Sequence, residues 1–517
     1  MSRKIAIIGG GIAGLSTGCY GRMNGYDTEI FEMHTLPGGV CTGWVRKGYT
    51  FDGCLHWLSG SAPGTPLYQV WSELGALRGK RVIDHEAFCR YVTPSGHHVT
   101  QWGDIDRFVE ELKGLGPEDA DTLERLRADV KLFGTLRQPL DRTGPRGPLG
   151  MLRMLKAIKP YLPMFKHYGP MGVEEFTARL KSPALRELFP LLIPLPEFPM
   201  FYVLGLLSML HKKEAGWPEG GSLALARSIE RRYLELGGRI RYGARVKEIL
   251  VEKGRAVGVR LADGSVHGAD EVISAADGHA TLFNMLGGRY LSPQLRRQYE
   301  TLPLYTPFVQ VSLGLRRDLS AEARLTTHGL AVPVNLGGTE VSWLFVNNYG
   351  FDPTMAPPGK AALTVLFWSG YDHWEALARD RKRYEEEKNH VARDTIGWLA
   401  TIYPGIEAEI EVTDVATPMT TVRYTGNWRA SYEGWRPTVK TMKVKMQKTL
   451  PGLKNFSMVG QWTAPFAGLP TAALDGRQAI KALCRKERRP FVTTTAADEG
   501  TCEPRLPGSG STVSPAA

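Results

Sequence analysis

No C-x-x-C pair occurs in this chain. Its six cysteines, Cys19, Cys41, Cys54, Cys89, Cys484 and Cys502, are scattered over 517 residues, a spacing that argues against structural zinc and against a dithiol redox centre. No metal site is expected. An uninterrupted apolar run long enough for a membrane span is also missing. The stretch FPLLIPLPEFPMFYVLGLLSML, Phe189 to Leu210, has Glu197 as its only charge, but Pro190, Pro194, Pro196 and Pro199 would each break an interior helix at a cost of roughly 3 kcal/mol. What remains, Met200 to Leu210, is shorter than the about 20 residues a span requires. The readings left are a monotopic membrane contact, the lining of an apolar tunnel, or plain core. Room for a signal peptide is lacking too, because strand-like Lys4 to Ile8 comes almost at once, so a cytoplasmic start is expected. Ala496 to Ala517, the end of a tail over 491–517, is rich in Gly, Pro, Ser and Thr and has too little to bury; disorder is predicted there.

Acidic residues are absent from Arg142 to Lys166, while Arg142, Arg146, Arg153, Lys156, Lys159 and Lys166 alternate with Leu149, Met151, Leu152, Met154, Leu155, Ile158, Tyr161, Leu162 and Phe165. The net charge of +11 is thus partly concentrated where large apolar residues accompany it. That mixture suits an anionic membrane surface better than a nucleic-acid groove, and nucleic acid is not an expected partner. The competing reading is an amphipathic helix docked on its own protein with a solvated basic face. At 43% apolar and 23% charged residues the rest is ordinary globular protein, long enough for two lobes.

The first segment, KIAIIGGGIAGLSTGCYGRMNGYDTEIFE, carries the strongest local signal. Lys4 to Ile8 reads as a buried parallel strand, Gly9 to Gly14 fits G-x-G-x-x-G, Ile12 to Met23 continues as a helix, and Asp27 to Phe31 is a second strand closed by Glu32. The order strand, glycine turn, helix, strand, acid is the complete dinucleotide fingerprint. Gly9 makes the tight turn, Gly11 lets the backbone approach a pyrophosphate, Ile12 and Ala13 open the helix whose N-terminus faces it, and Gly14 allows close packing of helix on sheet. Glu32 can accept hydrogen bonds from ribose hydroxyls. A second glycine-rich unit of this kind is absent, which argues against a separate NAD domain and leaves the electron donor or acceptor open.

Six residues after Glu32 comes Gly38-Gly39, followed by Val40 and Cys41. This pair resembles the second signature of amine-oxidase-like flavoproteins, and the chain resembles the phytoene desaturase superfamily of FAD-dependent oxidoreductases, especially its carotenoid isomerase and retinol saturase branch. In desaturases proper the pair is usually followed by arginine; Val40 and Cys41 depart from that and favour the isomerase and saturase branch. The stretch GYTFDGCLHW is similar to the retinol saturase pattern at Phe51, Asp52, Gly53, His56 and Trp57. Asp52 is expected to tie the loop through backbone hydrogen bonds. His56 is the candidate catalytic residue, a donor facing flavin or substrate, with Trp57 beside it; the competing reading is a structural histidine. Cys41 and Cys54 are read as small buried fillers of a flavin wall.

The resemblance also implies that the strand holding Val246 passes the adenine and that Gln461, after Gly460, turns toward the ribityl hydroxyls. Gly468, Leu469 and Pro470 open the last helix, with Pro470 in the first turn where its missing N–H costs little; that N-terminus would stabilise negative charge on a reduced flavin. The fold expected is α/β, a discontinuous Rossmann-type FAD-binding domain (1–103, 216–287 and 442–490) with an interleaved α+β substrate-binding domain (104–215 and 288–441). The function implied is FAD-dependent desaturation, saturation or cis/trans isomerisation of carbon–carbon bonds in a lipophilic, isoprenoid or polyene substrate, in a cytoplasmic protein that can associate peripherally with membrane. An amine oxidase and a prenyl-binding protein of the GDP-dissociation-inhibitor type are the alternatives.

Overall fold

The apolar run of Lys4–Ile8 has no polar face to give to water, and it lies at the centre of a parallel sheet, the arrangement that covers both faces of a strand. This computed structural model describes residues 2–136, 140, 147–465 and 468–495. The sheet has five strands in the order Arg239–Arg241, Asp27–Phe31, Lys4–Ile8, Glu271–Ser274 and Phe456–Met458, and every pairing in it is parallel. Three segments far apart in sequence therefore build one Rossmann-like sheet. The helix Ile12–Met23 packs against it, flanked by Gly221–Glu235 and Leu469–Lys486.

Glycines set how close these helices come. A Cβ on Gly14 would lie 1.9 Å from the carbonyl oxygen of Gly9, and one on Gly476 would lie 2.6 Å from the amide nitrogen of Thr17 and 2.8 Å from Ala13 O. Ser16 Oγ donates to Ala473 O at 2.6 Å across the same crossing. First and last helices are thereby locked together.

The second sheet is mixed and has seven strands, in the order Ile410–Ala416, Phe308–Leu315, Ala361–Trp368, Thr339–Asn348, Leu325–Leu336, Ala87–Val92 and His98–Trp102. Its last two strands differ from the expected division at residue 103. Ala87–Val92 pairs parallel with Leu325–Leu336 and antiparallel with His98–Trp102, because Phe88, Cys89, Tyr91 and Val99 are buried against the helical lobe rather than against the first sheet. That lobe includes Ile105–Leu115, Ala120–Phe133, Pro183–Leu192 and Met200–His211. Pro190 does not break its helix; it sits inside Pro183–Leu192, two residues before the end. Among the described residues no helix is long and apolar enough to cross a membrane.

The basic stretch forms the helices Gly147–Ile158 and Leu162–Tyr168; Arg142 and Arg146 lie outside the described residues, as do Cys502 and the tail from Ala496. Leu152 and Leu155 of the first helix are 51% and 56% exposed, whereas the second docks Met164 and Tyr168 in the core of the helical lobe. The crossing of first and last helices gives a direct test. In Gly476→Ala the added methyl has no space, and overpacking of this kind costs about 1–3 kcal/mol; calorimetry should show a lowered Tm, and an unchanged Tm would show that the two helices separate freely.

Candidate active site

At the end of Lys4–Ile8 the backbone turns through Gly9 at φ +97°, and the helix opens at Ile12 with Gly11 as its N-cap and no side-chain cap. Gly9, Gly11, Ile12 and Ala13 line a cavity of about 2830 Å³, toward which this helix end presents uncapped N–H groups and partial positive charge. Gly14 does not line it; it lies beneath, against Gly9. Glu32 is buried at the cavity edge, where Oε2 accepts from Gly10 N at 2.5 Å and Oε1 from His34 N at 2.7 Å. Gly38 N donates to Gly10 O at 2.9 Å. Gly38 and Gly39 have φ of +109° and +61°, and a Cβ on Gly38 would meet Cys41 O at 2.1 Å. Only glycine lets this loop lie on the turn.

Val40 and Val246 line the same cavity, and so do residues from the far end of the chain. Gly460, at φ +98°, Gln461, Gly468, Leu469 and Pro470 bring a second helix N-terminus to it, again without a side-chain cap. Buried Asp475 holds this turn by accepting from Gly460 N at 3.1 Å and from Thr463 Oγ1, and it pairs with Lys448. Gln461 lines the cavity, but its Nε2 donates to Ser431 O at 3.4 Å, fixing the 428–435 segment.

Asp52 ties the opening loop as its position suggests. Its carboxylate accepts from Cys54 N, Leu55 N, Ser222 N and Ser222 Oγ at 2.6–2.9 Å; burial pushes its pKa up against these bonds. The strands Gly43–Arg46 and Tyr49–Asp52 pair Gly43 with Asp52, and Gly53 N donates to Thr42 O at 3.0 Å, which places Cys41 across from Cys54. Both are free cysteines. The Cys54 thiol is pushed up by its hydrogen bond with Cys41 and by burial, so Cys54 stays a protonated thiol rather than a nucleophile.

His56 and Trp57 line the cavity. Asn347 Nδ2 donates to Thr364 Oγ1 at 3.3 Å, which turns its Oδ1 to His56 Nδ1 at 3.2 Å. His56 must donate there, leaving Nε2 as an acceptor. Burial, then the Arg324 guanidinium, lowers its pKa to about 4. The expected donor role is thus corrected: at neutral pH the imidazole is uncharged and its remaining nitrogen accepts. Buried Arg324 donates to His56 O at 2.5 Å with its guanidinium 5.2 Å from the Phe88 ring. Trp57 packs edge-on against that ring at 5.7 Å.

Beyond His56 the cavity becomes apolar. One wall is aromatic: Tyr305, Phe308, Tyr432, Trp343 and Trp368 line it with successive ring centroids 4.9–6.2 Å apart. The other comes from the proline-rich stretch, where Leu191, Ile193, Leu195, Phe201, Leu206 and Met209 line the cavity while Val203, Leu204 and Leu207 are buried core. Both the tunnel and the core readings of that stretch hold, on different faces. Sequence reasoning missed Asp475, Asn347, Arg324 and the cavity-lining carboxyl of Glu433; Asp475 lies in the last helix, close in sequence to the turn it holds, whereas the other three lie in no motif and are exposed only by the contact of remote segments. Among the described residues no group of three or more His, Cys, Asp or Glu is placed to hold a metal ion.

A parallel sheet with a glycine turn, an acid after its second strand and a mixed sheet closing the cavity define a dinucleotide-binding oxidoreductase fold. The family described as "Flavin containing amine oxidoreductase" matches residues 12–483, and the chain belongs to it. Prolycopene isomerases and phytoene desaturases are among its distant homologues. The chloroplastic prolycopene isomerase of Daucus carota is 25% identical over 440 residues, 82% of this chain and 71% of that protein. The zeta-carotene-forming phytoene desaturase of Myxococcus xanthus is 26% identical over 518 residues, 92% of each. A solved variant of putrescine oxidase shares the fold, with a TM-score of 0.60 at 14% identity over 94% of this chain and 99% of that one.

The His56 geometry predicts a pH effect. Its pKa is about 4 in the fold against an ordinary 6.5, so protonation favours unfolding; the stability that a neutral imidazole contributes is present above about 6.5 and lost as pH falls toward 4. In urea unfolding, the wild type should lose stability relative to His56→Gln across that window, other histidines cancelling in the comparison. A difference that stays constant from pH 7 to 4, on the order of the error, would contradict a buried neutral His56.

Proposed function

We propose that the cavity holds FAD and that the chain acts on carbon–carbon double bonds of a lipophilic isoprenoid or polyene. The observation that carries this reading is continuity: one cavity runs from the Gly11 and Glu32 end to the apolar walls of Phe201, Trp343 and Trp368. The residues fit the cofactor. A Cβ on Gly11 would meet nothing of this chain nearer than Gly38 O at 3.6 Å, so glycine there clears space that the protein itself does not need. The uncapped N-terminus at Gly11 to Ala13, with Gly14 beneath and Gly38 and Gly39 above, suits a pyrophosphate; Glu32 suits the ribose, Val246 and Val40 the adenosine and ribityl flanks. Gly460, Gln461, Gly468, Leu469 and Pro470 bring the second helix end to the flavin ring. Bound there, FAD would supply hydride transfer at carbon.

The segments 1–103, 216–287 and 442–490 make the cofactor lobe, and 104–215 with 288–441 the substrate lobe, the strands Ala87–Val92 and His98–Trp102 joining the second to the first. The chain's own part in the chemistry is to orient a long hydrocarbon between the aromatic wall and the leucines, to exclude water, and to present His56 Nε2 as an acceptor. Low identity to the isomerases and desaturases leaves the choice among saturation, desaturation and isomerisation to direct assay. A non-catalytic lipid binder has no need of two cofactor-facing helix ends and Glu32. An amine oxidase would use the aromatic wall, but the length of apolar lining from Leu191 to Met209 suits a hydrocarbon better.

Peripheral membrane association from the cytoplasmic side belongs to the same reading. The exposed Leu152 and Leu155 accompany Arg153, Lys156 and Lys159, and Phe165 of the following helix lies 5.2 Å from the cavity-lining Phe201. A lipid-dissolved substrate would enter where the apolar helix meets the bilayer.

Two experiments test these proposals. Denaturing the purified protein should release FAD; a colourless protein, or release of NAD, would overturn the cofactor assignment. Replacing Lys156, Lys159 and Lys166 by glutamate should free the protein from anionic liposomes, since each cation near such a surface contributes about 1 kcal/mol, and unchanged co-sedimentation would overturn the membrane contact.

A further inference from the structure

Among the described residues six acidic side chains line the cavity: Glu32, Asp52, Glu214, Asp277, Asp414 and Glu433. Five are held by donors or cations of the protein. Glu32 and Asp52 accept the backbone bonds described above, Glu214 pairs with Lys212 at 2.6 Å, Asp277 accepts from Ala280 N and Trp428 N at 2.7 and 2.9 Å, and Asp414 accepts from Trp44 Nε1 and Arg46 Nε at 3.1 and 3.0 Å. Among the described residues Glu433 has neither a cation nor a backbone N–H of this kind. It has the Tyr305 hydroxyl beside it, and what it is accessible to is the cavity.

Its position is fixed. The Glu433 backbone lies in a turn where Ser431 Oγ donates to Gly434 O at 2.6 Å, Gly434 has φ +72°, and Gln461 Nε2 holds Ser431 O. Its Oε1 lies 3.7 Å from where a Cβ of Gly468 would be, at the cap of the last helix, and Cys54 is close enough to interact with it. Glu433 therefore occupies the junction between the helix end that faces the cofactor region and the aromatic wall of Tyr305 and Tyr432. The titratable groups facing it are Cys54, Tyr305 and Tyr432, none of them a cation. Burial raises its carboxyl above its ordinary value, the direction that favours a proton donor.

We propose, resting on the flavin and polyene reading above, that Glu433 is the catalytic residue that exchanges a proton with substrate carbon. In a double-bond isomerisation the Glu433 proton adds to one alkene carbon, the π pair forming the new C–H bond and the carboxylate being left behind. The bond, now single, rotates, and a proton from the same carbon returns to the carboxylate as the double bond re-forms. Atoms and electrons balance with no external oxidant or reductant.

The test compares wild type, Glu433→Gln and Glu433→Asp as FAD-loaded proteins. Prolycopene in vesicles is incubated in deuterated buffer and the hydrocarbon analysed by mass spectrometry. Wild type should return isomerised hydrocarbon carrying solvent deuterium, Glu433→Gln should lose turnover by about 10²–10⁴-fold with its FAD content unchanged, and Glu433→Asp should regain part of it. Infrared difference spectra across photoreduction of the flavin need no substrate: wild type should show a protonated carboxyl band that responds to reduction, absent in Glu433→Gln. A Glu433→Gln protein with full FAD and an infrared spectrum indistinguishable from wild type overturns the proposal, as does a Glu433→Gln protein that turns the hydrocarbon over with deuterium uptake at the wild-type rate. A wild-type chain that purifies without flavin overturns the parent reading instead.

Discussion

Everything at the cofactor end of the cavity depends on how closely the helices Ile12–Met23 and Leu469–Lys486 approach. Their contact admits no side chain at Gly476 and is closed by the bond from Ser16 Oγ to Ala473 O. Because the two helices begin beside the same space, locking them together aims two uncapped N-termini at one cavity. Each contributes partial positive charge and unsatisfied N–H groups, and neither is neutralised by a capping side chain from the protein. Such a pair of ends is costly to bury against apolar surface and well matched to an anionic, polar ligand. The glycines at 9, 14, 38 and 460 serve the same geometry by letting backbone rather than side chain form the walls.

Polar side chains around the cavity do structural work in a consistent way. Asp52 gathers the 52–55 turn and the start of Gly221–Glu235, Asp475 gathers Gly460 and Thr463, and Gln461 holds the 428–435 segment. Each turns a loop into a fixed edge of the cavity by satisfying backbone groups that would otherwise seek water. Arg324 and Asn347 do this for His56, holding its carbonyl and its Nδ1 and leaving one nitrogen uncommitted. The apolar remainder is then shaped by packing alone, which suits a substrate that offers nothing to hydrogen-bond.

Much of this was legible in the sequence where the signal is local. The turn from Lys4 to Glu32 follows from short spacings whose backbone demands are specific, and the glycine pair, Asp52 as a loop anchor and the opening of the last helix follow from the family resemblance carried by short motifs. The mixed character of Phe189 to Leu210 was legible only as a set of readings, since apolar composition does not separate a tunnel face from a core face of one helix. The boundary at residue 103 took in Ala87–Val92 and His98–Trp102, which pair with Leu325–Leu336 and with each other, because a boundary along the chain does not show which sheet a strand joins. Glu433, Asn347 and Arg324 had no signal at all. Each matters through a partner tens or hundreds of residues away, and a lone glutamate or arginine in sequence reads as ordinary surface.

The central claim is that segments near Gly11, Gly38 and Gly468 are parts of one flavin site. Hydrogen–deuterium exchange on the apoprotein and on the same protein reconstituted with FAD tests it most directly. The account predicts that FAD protects the amides of Ile12 to Leu15, Gly38 to Val40 and Gly460 to Ala472 together, with little change in Phe308–Leu315 or Arg381–Ile402. Protection confined to the first segment, or protection of the seven-stranded sheet without the last helix, would contradict it.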